Sequence, residues 1–331
     1  MILPIVLLTV GFILLIKGAD LFVDGAARLA LGMHFSPMAV GMTVVAFGTS
    51  TAELFVNIPA SVVGGTDMAL GNVVGSSIAN ILLILGMAAL IRPLSVSKRT
   101  VWQAIPFSLL AVVMLWVLAS DVYIDNAFYS VVSRSDGLTL LGFFLVFLAY
   151  ICGVTRPMKG LPRISPPTPG KASLVALSTT IGFAGLMFGG RLVVDNAILL
   201  ADRMAVPQAV VGLTVVALGT SLPELVTCVA AARQGNPEIA VGNVVGSNIF
   251  NVFFVLGVSA VIRPLPFNPA ANVDMGVLTA ASILLFIFLY TGRVRVMDRE
   301  EGALAILIYL FYLGYLLLPV FSTSSPTGAG G

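Results

Sequence analysis

Charge is scarce in this chain. Asp, Glu, Lys and Arg make up 10% of its 331 residues, where a soluble domain carries about 25%. The few charges stand in short clusters between long apolar runs, and mean hydropathy is +1.06. A run of roughly 20 apolar residues crosses a bilayer, so the sequence reads as an integral membrane protein. Histidine is nearly absent. His34 stands alone near a helix end and reads as a loop residue, which leaves no Ser–His pair for a hydrolase and no imidazole site for zinc. The two cysteines, Cys152 and Cys228, fall inside apolar runs and read as small filler rather than a disulfide or metal framework. A net charge of +2, with no basic stripe interleaved with aromatics, excludes a nucleic-acid partner. The first apolar run begins at Ile2 without a basic flank or a small-residue cleavage site, and it reads as a retained helix.

Ten helical spans are expected, at about 2–30, 37–63, 68–91, 100–119, 137–154, 173–200, 207–232, 238–262, 271–291 and 303–321. The first and sixth exceed what about 30 Å of hydrocarbon needs, so they should tilt or overrun the interface. One set of loops holds 12 Lys and Arg residues and the opposite set holds 3. The basic side should face the cytoplasm, which places both termini outside a cell (inner or plasma) membrane. Residues 155–172, rich in Pro and basic residues, read as a cytoplasmic linker, and 323–331 as a disordered tail.

The chain repeats itself. "VVAFGTSTAELFV" (44–56) and "VVALGTSLPELVT" (215–227) lie 171 positions apart. The same shift aligns "GNVVGSSIAN" (71–80) with "GNVVGSNIFN" (242–251), and "IRPL" (91–94) with "IRPL" (262–265). Over 40–54, 11 of 15 positions match their partners, and over 69–80, 9 of 12. Two halves are therefore expected, 1–154 and 173–322, with five spans each. An odd number of spans turns the second half over, so the fold class is all-α integral membrane, ten transmembrane helices in two inverted repeats. Secondary transporters are built this way, with a site near the midplane where the repeats meet.

Each repeat carries one isolated carboxylate. Glu53 is the only full charge between Arg28 and Asp67, and Glu224 the only one between Arg203 and Arg233. Helical spacing puts Ala46, Ser50 and Glu53 on one face, with Thr49 one turn before Glu53. Ala217, Thr220, Ser221 and Glu224 copy the pattern. Ser76 and Asn80, and likewise Ser247 and Asn251, stand four apart on the next spans. Inversion brings these four spans together. The converging groups are oxygen donors, which suit Na⁺ and Ca²⁺ rather than zinc or copper. An intramembrane carboxylate costs from about 2.5 to more than 10 kcal/mol, which a bound cation offsets. Competing readings exist. A membrane hydroxyl can bond back to its own helix, and a buried Glu can be a protonated structural acid. Gly71, Gly75, Gly242 and Gly246 read as close-packing positions. Lys17, Asp20 and Asp24 are spaced to pair with one another, as are Arg191 and Asp195. Pro223, lacking an N–H, should free the Gly219 carbonyl.

"GTSTAEL" and "GTSLPEL", each followed by "GNVVGS" and Ile-x-Asn, resemble the paired alpha repeats of the calcium/cation antiporter superfamily, in particular the prokaryotic sodium/calcium exchangers. The resemblance covers nearly the whole chain. It implies a non-enzymatic Na⁺/Ca²⁺ antiporter without a cofactor, working as a monomer in the lipid bilayer. It implies that spans 1 and 6 slide across the other eight to alternate access. It also implies a cation site lined by Ala46 (through its carbonyl), Thr49, Ser50, Glu53, Ser76 and Asn80, with Ala217 (carbonyl), Thr220, Ser221, Glu224, Ser247 and Asn251 from the second repeat. Two positions depart from the family pattern. Ala52 replaces the usual proline, which leaves the Gly48 carbonyl bonded and puts the Ala46 ligand in question. Asn251 replaces the Asp of some archaeal members and of the potassium-dependent branch, which argues against potassium dependence. The residues alone leave a Ca²⁺/H⁺ exchanger and a cation channel open.

Overall fold

The computed structural model describes residues 2–33, 35–63, 66–98, 100–154, 169–204, 217–290 and 295–323. The readings of His34 as a loop, of the linker between 155 and 168, of the tail from 324 onward and of the start of the seventh span lie outside the described residues, as does the side chain of Cys152.

Helix α1 is Ile2–Met33. Ser36 caps the next helix, accepting the Ala39 N–H at 3.2 Å, and Pro37 takes its first position. This second span is broken: α2 (Pro37–Thr49) and α3 (Thr51–Val63) meet at a 48° bend. Helix α4 runs from Thr66 to Ile91 and holds a π-helical turn, Asn80–Ile84. After strand β1 (Leu94–Ser95) comes α5 (Thr100–Leu118). Strand β2 (Ser130–Val132) precedes α6 (Arg134–Val154), whose start is held by a reciprocal cap. Ser133 Oγ accepts the Asp136 N–H, and the Asp136 carboxylate accepts the Ser133 N–H.

The second half repeats the order. Helix α7 is Pro169–Arg203, beginning inside the expected linker. Helices α8 (Ala217–Thr220) and α9 (Leu222–Arg233) are separated at Ser221. Gly235, with φ +79°, ends α9 and lets Asn236 bond back to the Ala231 carbonyl at 2.8 Å. Asn236 and Pro237 then start α10 (Pro237–Ile262), which contains a π-helical turn at Asn251–Leu256. Strand β3 (Leu265–Phe267), α11 (Ala271–Tyr290), strand β4 (Val296–Met297) and α12 (Arg299–Thr323) complete the chain. Among the described residues, nine crossings are long and apolar enough for a membrane when the bent pair counts as one. The tenth expected crossing is the one described only from Ala217 onward.

Helices α4 and α10 form the centre. In their most apolar windows 72% and 78% of residues are buried, against 17–39% in the other long spans. Around them the contacts obey a two-fold rule. The second half of α4 packs on α12, and the second half of α10 packs on α6. Both crossings are glycine to glycine. A Cβ on Gly86 would sit 2.8 Å from the Gly302 carbonyl, and one on Gly137 would sit 2.8 Å from the Gly257 carbonyl. The strands follow the same rule. β1 pairs antiparallel with β4, and β2 with β3, so each ladder ties one half to the other. "IRPL" in each half leads into one of these ladders. The two ladders are loop features that an all-helical reading does not include, and they leave the helical class intact.

Helices α1 and α7 lie against each other along their length. A Cβ on Gly18 would meet the Leu186 nitrogen at 2.7 Å, and one on Gly189 would meet the Leu15 nitrogen at 2.7 Å. Backbone touches backbone, as small residues allow in membranes.

Gly242 and Gly246 abut α2 as expected, while the segment that the 171-residue shift sets opposite Gly71 and Gly75 lies outside the described residues. Two expectations need correction. Asp24 pairs with Arg28 at 2.9 Å instead of with Lys17. Arg28 follows one helical turn later and reaches back to the carboxylate. The expected Arg191–Asp195 pair is present at 3.6 Å. Cys228 is buried but is more than filler: it accepts a hydrogen bond from Asn243 at 3.3 Å.

Candidate cation site

The helix breaks bring the two acids inward. Ser50 (φ −74°, ψ 2°) and Ser221 (φ −90°, ψ 3°) leave helical geometry at equivalent positions. Each break precedes the turn that bears the glutamate. The second half has Pro223 to account for it, whereas the first half breaks without proline. The two breaks differ in their hydrogen bonds. Ser50 N–H reaches the Ala46 carbonyl at 2.9 Å, a helical bond four residues back, while Ser221 N–H closes a three-residue turn to the Leu218 carbonyl at 3.2 Å. The Ala46 carbonyl is therefore already engaged, which matches the question raised by Ala52.

Glu53 and Glu224 are both fully buried, each three residues beyond its helix break. Ser50 Oγ donates to Glu224 Oε1 at 3.2 Å, a bond from one repeat to the acid of the other. Thr49 Oγ1 stands 3.1 Å from Asn243 Oδ1 and 3.4 Å from the Ala46 carbonyl. In the mirrored half, Thr220 Oγ1 stands 3.4 Å from Asn72 Oδ1.

The amides divide similarly. Asn80 Nδ2 donates to Asn248 Oδ1 at 3.0 Å, which leaves Asn80 Oδ1 buried without a partner among the described residues. Asn248 in turn donates to the Ser77 carbonyl at 3.4 Å. Both side-chain heteroatoms of Asn251 are buried and have no partner among the described residues, as is true of both oxygens of Glu53, Oε2 of Glu224 and the hydroxyls of Ser221 and Ser247. A buried polar atom without a hydrogen bond costs about 1–3 kcal/mol, and more if charged. So many unpartnered oxygens on four adjacent helix segments are hard to reconcile with a purely structural core.

Other hydroxyls behave differently. Thr9, Thr43, Thr51 and Thr139 each donate to the carbonyl four residues back, at 2.7–2.9 Å. Ser76 donates to Val73 at 3.2 Å, so its hydrogen is spent within its own helix while its lone pairs remain. Ala217 opens helix α8. Among the described residues no hydrogen bond joins Ser76, Ser221, Ser247 or Asn251 to either carboxylate. Nor do any three His, Cys, Asp or Glu side chains form a cluster able to hold a metal. The donor set is two carboxylates plus neutral oxygens, the preference of hard cations.

Asn57, Asn72, Asn243, Asn248 and Ser77 escaped sequence reading. A signal was available: Asn72 and Asn243 occupy the same place in the duplicated "GNVVGS".

A family model described as "Sodium/calcium exchanger protein" matches residues 3–153 and 174–318. The chain is 37% identical to "Inner membrane protein YrbG" of Escherichia coli (strain K12), over 97% of this chain and 99% of that one. It is 32% identical to "Sodium/calcium exchanger MaX1" of Methanosarcina acetivorans, over 94% and 97%. Among solved structures, it superposes on the sodium-calcium exchanger NCX_Mj soaked with Na⁺ and Sr²⁺ with a TM-score of 0.84, at 32% identity, covering 95% of this chain and 98% of that one.

Proposed function

From the premise that the chain belongs to the sodium/calcium exchanger protein family, we propose that it exchanges Ca²⁺ for Na⁺ across the membrane by alternating access. The observation that carries this reading is the convergence of Glu53 and Glu224 from opposite repeats, with Ser50 of one bonded to the acid of the other. Together the acids carry −2. Ca²⁺ brings the site to zero, and two or three Na⁺ bring it to 0 or +1. Without cargo, uncompensated charges would have to pass a low-dielectric barrier at a cost of several kcal/mol. The empty protein then rarely switches sides while loaded forms do, which yields exchange rather than leak. Because the ions share ligands they compete, and differential occupancy couples them.

In this reading the ligands are Thr49, Ser50, Glu53, Ser76 and Asn80 with Thr220, Ser221, Glu224, Ser247 and Asn251, and the carbonyls of Ala46 and Ala217. The repeats are 1–154 and 173–322, joined by a cytoplasmic linker at 155–172, with 323–331 a disordered tail and both termini outside the cell membrane. Helices α1 and α7 are the sliding pair, a monomer suffices, and no cofactor takes part. The lipid bilayer and the two ions are the only partners this function needs.

The test is ⁴⁵Ca²⁺ uptake into proteoliposomes with Na⁺, K⁺ or H⁺ gradients imposed one at a time. The reading expects uptake with an outward Na⁺ gradient alone. Uptake that follows the pH gradient and ignores Na⁺ would overturn it.

A further inference from the structure

Two chains of hydrogen bonds, related by the repeat, start beside the acids. Thr49 Oγ1 donates to Asn243 Oδ1 at 3.1 Å, and Asn243 Nδ2 donates to Cys228 Sγ at 3.3 Å. Thr220 Oγ1 donates to Asn72 Oδ1 at 3.4 Å, and Asn72 Nδ2 donates to Asn57 Oδ1 at 3.3 Å. Asn72 and Asn243 are 171 positions apart, as are Asn57 and Cys228 and the two threonines. The same chain is thus built twice, and each crosses from the threonine of one half to the asparagine of the other.

A hydroxyl offers lone pairs to a cation only when its hydrogen points elsewhere. Thr49 has two acceptors within hydrogen-bond distance, Asn243 Oδ1 at 3.1 Å and the Ala46 carbonyl at 3.4 Å. The carbonyl is the more distant and also accepts Ser50 N–H at 2.9 Å. Asn243 Oδ1 is the nearer, and its amide is held in one orientation because its NH₂ donates to Cys228. Asn243 is fully buried, so bulk water does not substitute for it.

We propose that Asn243 and Asn72 are positioning residues that take the hydroxyl hydrogens of Thr49 and Thr220 and so turn the two oxygens toward the cation. This rests on the reading of the threonines as ligands in a Na⁺/Ca²⁺ exchanger. Asn243→Leu removes the acceptor and keeps the volume. Asn243→Asp keeps an acceptor oxygen in the same place.

The experiment measures Na⁺-driven ⁴⁵Ca²⁺ uptake in proteoliposomes for wild type, Asn243→Leu, Asn243→Asp, Thr49→Val and the double variant Asn243→Leu/Thr49→Val. Asn243→Leu should raise KM for Ca²⁺ about tenfold, the scale of one hydrogen bond next to a charge, with the maximal rate little changed. Asn243→Asp should return KM to the wild-type value or below. The double variant should be no worse than Thr49→Val alone. An unchanged KM in Asn243→Leu, or effects that multiply in the double variant, would overturn the proposal. If Asn243→Leu does not fold, the mirrored cycle of Asn72→Leu and Thr220→Val reads the same quantity. A wild-type protein without Na⁺-driven uptake would instead refute the exchange function. An active wild type with a multiplicative cycle refutes only the positioning role.

Discussion

Hydroxyl-bearing residues of similar depth have different tasks in this chain. Thr51 and Ser50 are neighbours, yet Thr51 bonds back to Phe47 at 2.7 Å while Ser50 crosses to Glu224 at 3.2 Å. Thr51→Val should leave Na⁺-driven ⁴⁵Ca²⁺ uptake within about twofold of wild type, since a self-satisfied hydroxyl contributes little. Ser50→Ala should raise KM by about tenfold, because it strips a charge-assisted bond from a buried acid. Equal effects of the two substitutions in parallel titrations would contradict this division. Asn80 is held by Asn248 at 3.0 Å with its oxygen left over, whereas Asn251 has no such holder among the described residues. Asn80→Ala and Asn251→Ala should each weaken uptake without abolishing it, because neither carries charge. The glutamates and their flanking hydroxyls were legible in the sequence because an isolated charge in an apolar run has few explanations. The asparagines that hold them were not: their partners lie 148 and 194 positions away for the two threonine bonds, and such contacts leave no local pattern.

The broken helices show what local sequence can and cannot announce. Pro223 explains the break at Ser221. Ser50 breaks at the same place with Ala at position 52, so the packing of duplicated halves imposes what proline only favours. The π-helical turns at Asn80–Ile84 and Asn251–Leu256 were also invisible in advance, although such bulges often mark functional positions. Each begins at the asparagine that ends the duplicated motif. Helices α1 and α7 were expected to be long, and they are, but their glycine contact appears only when the two are laid together. A Cβ on Gly182 would lie 2.5 Å from the Phe22 nitrogen. Gly182→Leu should therefore push these helices apart and cut turnover by at least about tenfold, a typical cost of overpacking a close crossing being about 1–3 kcal/mol. Equilibrium binding of ⁴⁵Ca²⁺ to the purified variant should fall less than turnover, since Gly182 faces the α1 backbone and only the Phe22 and Phe183 rings beside it reach Gly48, next to Thr49. Loss of binding together with turnover would show that the crossing shapes the site itself.

At the scale of the whole molecule, duplication did most of the specifying. The 171-residue shift predicted two inverted halves, and the paired crossings of α4 with α12 and α10 with α6 obey it, as do the two ladders. The ladders themselves were not readable, because strands of two or three residues carry no periodicity. A symmetric pair of halves around a charged centre predicts obligatory exchange: ⁴⁵Ca²⁺ efflux from loaded vesicles should need Na⁺ or Ca²⁺ on the far side, and efflux into cation-free buffer should fall to the rate of empty liposomes. The central claim is that the acids of the mirrored halves hold one divalent ion between them. Equilibrium ⁴⁵Ca²⁺ binding to purified wild type, Glu53→Gln and Glu224→Gln, with folding verified by monodispersity in detergent, tests it most directly. The account predicts one displaceable Ca²⁺ per wild-type chain and loss of binding in each single variant. Wild-type binding in either variant would contradict it.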